Sequence, residues 1–227
     1  MDLVGLTATG RAYAERGVFC CFEGGDGAGK STQSRALAAW LAERGYDALL
    51  TFEPGDTEVG RRLRGIVLDP ATGDLSHRTE ALLYAADKSE HVDAVVLPAL
   101  AEGRVVITDR YVDSTLAYQG AGRDLDVADV ERIARWATRG LRPHLTVVLD
   151  LPPGDGLARF GERDRIEGQP LEFHERVRAA FLELAAADPE HYLVLDARAP
   201  AEEITARVVE RVAPLLSQAA RRQGVAR

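Results

Sequence analysis

The sequence predicts an α/β domain in which a five-stranded parallel sheet carries helices on both faces. Three features predict it. Short apolar runs alternate with longer segments whose apolar residues recur at three and four. Glycine or proline punctuates many of the junctions between them. The residues suited to chemistry follow the strand ends, where ligands of such sheets sit.

In chain order, residues 18–23 form an apolar run that Gly24 ends, as expected of a buried strand. Residues 31–44 place Leu37, Trp40 and Leu41 at helical spacing, and Gly45 follows as a stop. Residues 46–52 read as a second strand, broken by Pro54-Gly55. Residues 58–68 repeat apolar positions at three and four, and residues 79–101 make a long helix with a bend at Pro98. Val105, Val106 and Ile107 form a third buried strand ending at Asp109. A helix over 127–138 leads to a fourth strand at 145–149, after which Pro152-Pro153 interrupts the chain. Residues 157–169 are dense in charge and hold two glycines. A helix over 171–186, a fifth strand over 192–195 and a closing helix over 201–216 complete the pattern.

The 227 residues suit one domain, placed at 17–216, with residues 1–16 and 217–227 as tails. A formal net charge of −8 argues against non-specific binding to nucleic acid or to an anionic membrane. No apolar run approaches the roughly 20 residues that span a bilayer, and the first 17 residues carry no apolar core of the secretory kind. Cys20 and Cys21 are adjacent, so on a strand they face opposite ways, which favours buried thiols over a disulfide. These features suit a cytoplasmic protein.

The stretch FCCFEGGDGAGKSTQ contains Gly24, Gly29, Lys30 and Ser31 at the spacing G-x-x-x-x-G-K-[ST]. Here it follows a strand and opens a helix, the context in which glycine backbone turns N–H groups toward phosphate oxygens. Lys30 then reaches the β- and γ-phosphates and Ser31 ligates Mg²⁺. Asp26, a carboxylate in a loop built for anions, is the anomaly. Asp109, at a strand tip beside this loop, suits Mg²⁺ binding, with a helix cap as the alternative. Arg110 suits a second phosphate held by two hydrogen bonds. Arg159, Arg163 and Arg165 lie within seven residues beside Gly161, so residues 157–169 read as a mobile lid bringing positive charge; a solvated loop is the alternative. A G-x-S-x-G elbow, an H-E-x-x-H pair and an N-K-x-D guanine reader are all absent from the sequence.

FEGGDGAGKSTQ, FEPGDTEVG, RTEALLYAADK, DRYVDSTLAYQGAGR and RDRIEGQPLEFHERVRAAFLELA together resemble one family, thymidylate kinase, from residue 18 to the C-terminal helix. The resemblance implies a P-loop nucleoside-monophosphate-kinase-like fold, phosphorylation of dTMP by ATP with Mg²⁺, no nucleic-acid or membrane partner, and a homodimer. Gly24, Gly27, Ala28, Gly29, Lys30, Ser31, Thr32 and Arg159 then belong to the ATP side, and Ser31 and Asp109 to the metal. Lys30, Asp109, Arg110, Arg163 and Arg165 take catalytic roles. Asp26 faces the 3′-hydroxyl of the acceptor, which resolves the anomaly: a carboxylate accepts what a hydroxyl donates. Arg110 grips the acceptor phosphate, Tyr118 crowds the 2′ side of the sugar, Thr115 and Gln119 lie at the base, and Glu53-Pro54 belongs to the same site. Gly27 and Ala28 in the loop, with arginines in the lid, resemble the branch of the family that keeps its basic residues in the lid.

Four positions depart from the family pattern, all on the acceptor side. Phe52 stands for arginine, Asp56 for glycine, Tyr84 for the phenylalanine that stacks on thymine, and Lys88 for the arginine that reads the base. A kinase of a related or modified pyrimidine monophosphate and a non-catalytic nucleotide-binding paralogue are the alternatives. Intact Lys30, Ser31, Asp109 and Arg110 argue against the paralogue.

Overall fold

The computed structural model describes residues 4–6, 12–222 and 224; residues 1–3, 7–11, 223 and 225–227, which belong to the expected tails, lie outside the described residues. Strands β1 (Val4–Leu6) and β2 (Ala12–Ala14) pair antiparallel within the first tail. Strand β3 (Val18–Gly24) opens the main sheet and leads through the phosphate loop into α1 (Lys30–Glu43). Next come β4 (Ala48–Phe52) and α2 (Glu58–Leu68), the latter over the predicted residues with Thr57 accepting from the Gly60 N–H as its cap.

The predicted helix over 79–101 is three pieces: α3 (His77–His91), a π turn (Val92–Val96) and α4 (Leu97–Ala101). The Leu97 N–H reaches back five residues to Val92, and Pro98, lacking an N–H, sits in the first turn of α4. Strand β5 (Val105–Asp109) follows. The next stretch, unassigned from sequence, is helical: α5 (Val112–Thr115) and a second π turn (Leu116–Gly122). Gly122 there meets a packing demand, since a Cβ would lie 2.6 Å from the Phe173 ring. Helix α6 (Val127–Ala137) is capped by Asp126, and β6 (Leu145–Asp150) precedes α7 (Pro153–Leu157). The prolines read as a break open that helix, because the first turn needs no proline N–H. Helix α8 (Leu171–Ala187), β7 (Tyr192–Asp196) and α9 (Ala201–Arg222) complete the chain; α9 runs past the expected end at 216.

The five main strands are parallel in the order β4-β5-β3-β6-β7. Central β3 is buried at every residue, with Cys20 opposite Ile107 and Leu145. One face packs Ile107, Val147 and Leu149 against Leu37 and Leu41 of α1 and Val208 and Val212 of α9. The other packs Phe19 and Val106 against Val92, Val96 and Leu100, and Val148 against Val177 and Phe181 of α8. Cys20 belongs to the first layer and Cys21 to the second, both as free thiols. Burial pushes the Cys20 thiol up to about 12. The carboxyl ends of β3, β4, β5 and β6 therefore converge on one edge, where the candidate residues gather.

Candidate active site

The loop between β3 and α1 carries most of the residues expected on the donor side. Gly27 has a φ of +73°, and a Cβ there would lie 2.5 Å from the Gly156 carbonyl, so α7 packs directly on the loop. Lys30 Nζ donates to the carbonyls of Gly24 (3.2 Å) and Gly25 (2.8 Å). Burial first, then the nearby Arg110 charge, pushes the Lys30 ammonium down to about 8. The Ser31 hydroxyl donates to Asp109 Oδ2 at 2.5 Å, which places two hard oxygen donors together. No group of three or more His, Cys, Asp or Glu side chains suited to a metal exists among the described residues. Such a pair fits Mg²⁺, which takes one or two protein oxygens and completes its shell with phosphate and water.

Arg110 is the junction. Its backbone is left-handed (φ 69°), and its N–H donates to the Phe22 carbonyl at 2.9 Å. Nη1 donates to the Gly24 carbonyl (3.1 Å) and Ser114 Oγ (3.0 Å); Nη2 donates to Asp26 Oδ1 (2.5 Å) and the Tyr118 hydroxyl (3.2 Å). Tyr118 in turn donates to Asp26 Oδ2 at 2.9 Å. Burial works against the Asp26 carboxylate, but Arg110 and Lys30 outweigh it and hold its pKa below the ordinary value. Glu23, which the sequence reading treated only as a strand end, anchors this arrangement. Its Oε1 accepts from the Tyr111 and Ser114 N–H groups (2.8 and 3.0 Å), and its Oε2 from the Ser114 hydroxyl (2.6 Å). Burial, then the neighbouring Asp113, raises the Glu23 carboxyl to about 7.

A cavity has Tyr84, Lys88, Thr115, Tyr118 and Gln119 in its wall, with Glu53 and Pro54 beside them. This brings the sequence-predicted acceptor residues into one place. Thr115 Oγ1 is buried and takes no hydrogen bond within the described residues. Lys88 Nζ pairs with Glu53 Oε2 at 2.8 Å, and His91 Nδ1 lies 2.7 Å from Glu53 Oε1. His91 Nε2 lies 2.6 Å from Thr51 Oγ1, whose hydroxyl donates to Asp56 Oδ2 at 2.5 Å. Two of the departures from the family pattern, Asp56 and Lys88, are thus ends of one polar chain.

This cavity and a cleft along the loop after β3, lined by Lys30, Ser31 and Asp109, share Asp26, Glu53, Arg64 and Arg110. Arg64, missed from sequence, donates to the Pro54 carbonyl at 2.7 Å and lies 5.9 Å from the ring of Phe52. On its own it reads as one more charge on an amphipathic helix, so no signal marked it.

The three arginines of residues 157–169 divide. Arg159 donates to the Gly27 carbonyl of the phosphate loop at 2.7 Å. Arg163 Nη2 donates to the Leu157 carbonyl at 3.5 Å. Arg165 turns from the phosphate loop: its N–H donates to Leu68 (2.9 Å), its Nε to Val67 (2.8 Å), and its Nη2 to Glu80 Oε2.

A sequence model of the thymidylate kinase family matches residues 22–208. The thymidylate kinase of Cutibacterium acnes (strain DSM 16379 / KPA171202) is 55% identical over 202 residues, covering 89% of this chain and 99% of that protein. The thymidylate kinase of Clavibacter michiganensis subsp. michiganensis (strain NCPPB 382) is 50% identical over 208 residues, covering 90% and 98%. That of Synechococcus sp. (strain JA-2-3B'a(2-13)) is 49% identical over 201 residues, covering 88% and 96%.

Proposed function

This chain belongs to the thymidylate kinase family and phosphorylates dTMP at the expense of ATP, and from that premise we propose that transfer is in-line between the two clefts joined at Asp26 and Arg110. The observation that carries the reading is Arg110 itself, whose guanidinium reaches the phosphate loop and the acceptor wall at once. An oxygen of the acceptor phosphate attacks the γ-phosphorus, and the bond to the β–γ bridging oxygen breaks, giving dTDP and ADP. Little covalent help is required; position and positive charge are.

Arg110 holds the acceptor phosphate and Asp26 accepts from the 3′-hydroxyl, so the nucleophile is set against the loop that holds the donor. Gly24, Gly27, Ala28, Gly29 and Thr32 form the donor cradle, with Lys30 balancing the charge on the transferred group. Ser31 and Asp109 would hold Mg²⁺, which when bound supplies positive charge to the donor phosphates. Arg159 and Arg163 add positive charge from the lid. Tyr84 stacks on the base, while Thr115, Gln119 and Lys88 meet its polar edge; the unpartnered hydroxyl of Thr115 supports that role.

A homodimer is part of the same reading. Leu82 on α3 and Trp136 on α6 are 55% and 83% exposed, apolar surface that a second copy would cover. Light scattering in solution tests it. No helix of the described residues is long and apolar enough to cross a membrane, and the cytoplasm is the compartment we assign. A coupled assay of ADP release across a panel of nucleoside monophosphates tests the activity. ADP release with dTMP as the best acceptor is expected; no release with dTMP would overturn it.

A further inference from the structure

Glu80 lies in the first turn of α3, fully buried, where a helix of this kind ordinarily shows solvent an exposed acid. Three side chains from two other parts of the chain converge on it. Gln119 Nε2 donates to Oε1 at 3.1 Å. Arg123 donates Nε to Oε1 and Nη2 to Oε2, both at 3.0 Å. Arg165, from the lid, donates to Oε2. Burial opposes the charge, but the hydrogen bonds from Arg123, Gln119 and Arg165 outweigh it and hold the carboxyl below its ordinary range.

Each contact has a consequence. A carboxylate only accepts, so Glu80 fixes which end of the Gln119 amide faces it. The N–H end is committed, and the carbonyl oxygen is left for the acceptor cavity, in whose wall Gln119 stands. A carbonyl oxygen suits the N3–H of thymine and does not suit the bare N3 of cytosine. On the other side, Arg165 is not itself a wall of the cavity, but its neighbours Asp164, Ile166 and Glu167 are. Its seat on Glu80, Val67 and Leu68 therefore holds that part of the lid over the acceptor. Arg123 reinforces the joint by donating to Gln169 at 2.7 Å, at the end of the lid.

We propose that Glu80 is a positioning residue that ties closure of the lid to reading of the acceptor base, with Arg165 as the latch. The inference rests on the reading of this cavity as the dTMP site. It gives Arg165 a different task from phosphate contact, and two carboxylate oxygens of one residue serve two functions that are 39 and 85 residues away in sequence.

The test uses the full chain with Arg165→Gln and Glu80→Gln, each checked for fold by thermal unfolding. Arg165→Gln leaves Glu80 paired with Arg123, so it folds even where Glu80→Gln does not. Arg165→Gln is expected to raise the KM for dTMP about tenfold or more, the scale of one charged hydrogen bond, with the KM for ATP within about twofold. Hydrogen exchange over residues 160–169 should quicken in both variants in the presence of ADP and dTMP. Glu80→Gln should in addition lower the dTMP-to-dCMP ratio of kcat/KM, because the amide of Gln119 is free to turn; a merely structural role would not move that ratio. A KM for ATP that rises as much as that for dTMP, or unchanged lid exchange, would overturn the latch. An unchanged dTMP-to-dCMP ratio in folded Glu80→Gln would overturn the link to the base. If the wild type does not use dTMP, the parent reading fails instead.

Discussion

Lys88 Nζ and Glu53 Oε2 lie 2.8 Å apart, both side chains buried, in the wall of the acceptor cavity. Burial disfavours both charges, yet each partner outweighs it for the other: Glu53 is held below the ordinary carboxylate range and Lys88 above the ordinary ammonium range. An ammonium has three donors and no acceptor, so Lys88 can pair with Glu53 and still offer an N–H to a base carbonyl. Lys88→Met should slow dTMP use and also destabilise the fold by about 3 kcal/mol, the scale of a buried charge left without its partner. Adding Glu53→Gln should restore the melting temperature without restoring activity. A double variant no more stable than Lys88→Met would break the pairing argument.

Arg110→Ala should raise the KM for dTMP and lower kcat together. In the proposed role the guanidinium both binds and aims the acceptor, and a misplaced nucleophile loses rate as well as affinity. Steady-state kinetics with each substrate varied in turn decides it; a change confined to ATP would move Arg110 to the donor side.

Lys30 carries a pH signature. In the free protein its ammonium titrates at about 8, and only the charged form can balance phosphate. The kcat/KM profile should therefore fall on the alkaline side near pH 8, the free-enzyme value. Bound phosphates favour the ammonium and raise its pKa, so the limb in kcat should lie higher. Coincident limbs in the two profiles would contradict this assignment. Lys30→Ala should lower kcat about 100-fold or more without unfolding the protein.

Glu23 and Asp87 bear on stability. Burial, the largest influence on each, raises their carboxyls to about 7 and about 6. For an acid whose pKa rises on folding, the folded state binds the proton more tightly. The stabilisation is present below the unfolded value and is lost as pH rises through the folded one. Stability contributed by these two groups should fade from about pH 4 to about pH 7. In Glu23→Gln the fall in melting temperature across that window should be shallower; an equal slope would remove Glu23 from the linkage.

Much of the donor side was legible because it is local. Gly24 to Ser31 is one continuous loop, and a strand, a glycine run and a helix start can be read within 15 residues. Asp109 and Arg110 were legible because a charge ending an apolar strand stands out. Glu23, Arg64 and Glu80 were not. Glu80 looks like an ordinary acid opening a helix, and its burial depends on Arg123 and Arg165, which only the tertiary fold brings together. The segment around Thr115 and Gln119 hid its helical form for a related reason. Gly122 closes that stretch because the Phe173 ring is pressed against it, a contact that only the fold supplies. Residues 157–169 stood out as a cluster of arginines, but the different seats of Arg159 on the loop after β3 and Arg165 on Glu80 are geometric.

The most direct test is the ratio of kcat/KM for dTMP to that for dCMP in the wild-type protein. Lys88 offers only donors toward the base, and Gln119 has its N–H end held by Glu80. Both favour a base with a carbonyl at position 4 and a proton on N3. One mismatched hydrogen bond in such a site is worth about tenfold or more. The account predicts a ratio of at least about ten in favour of dTMP. Equal use of the two nucleotides would contradict it.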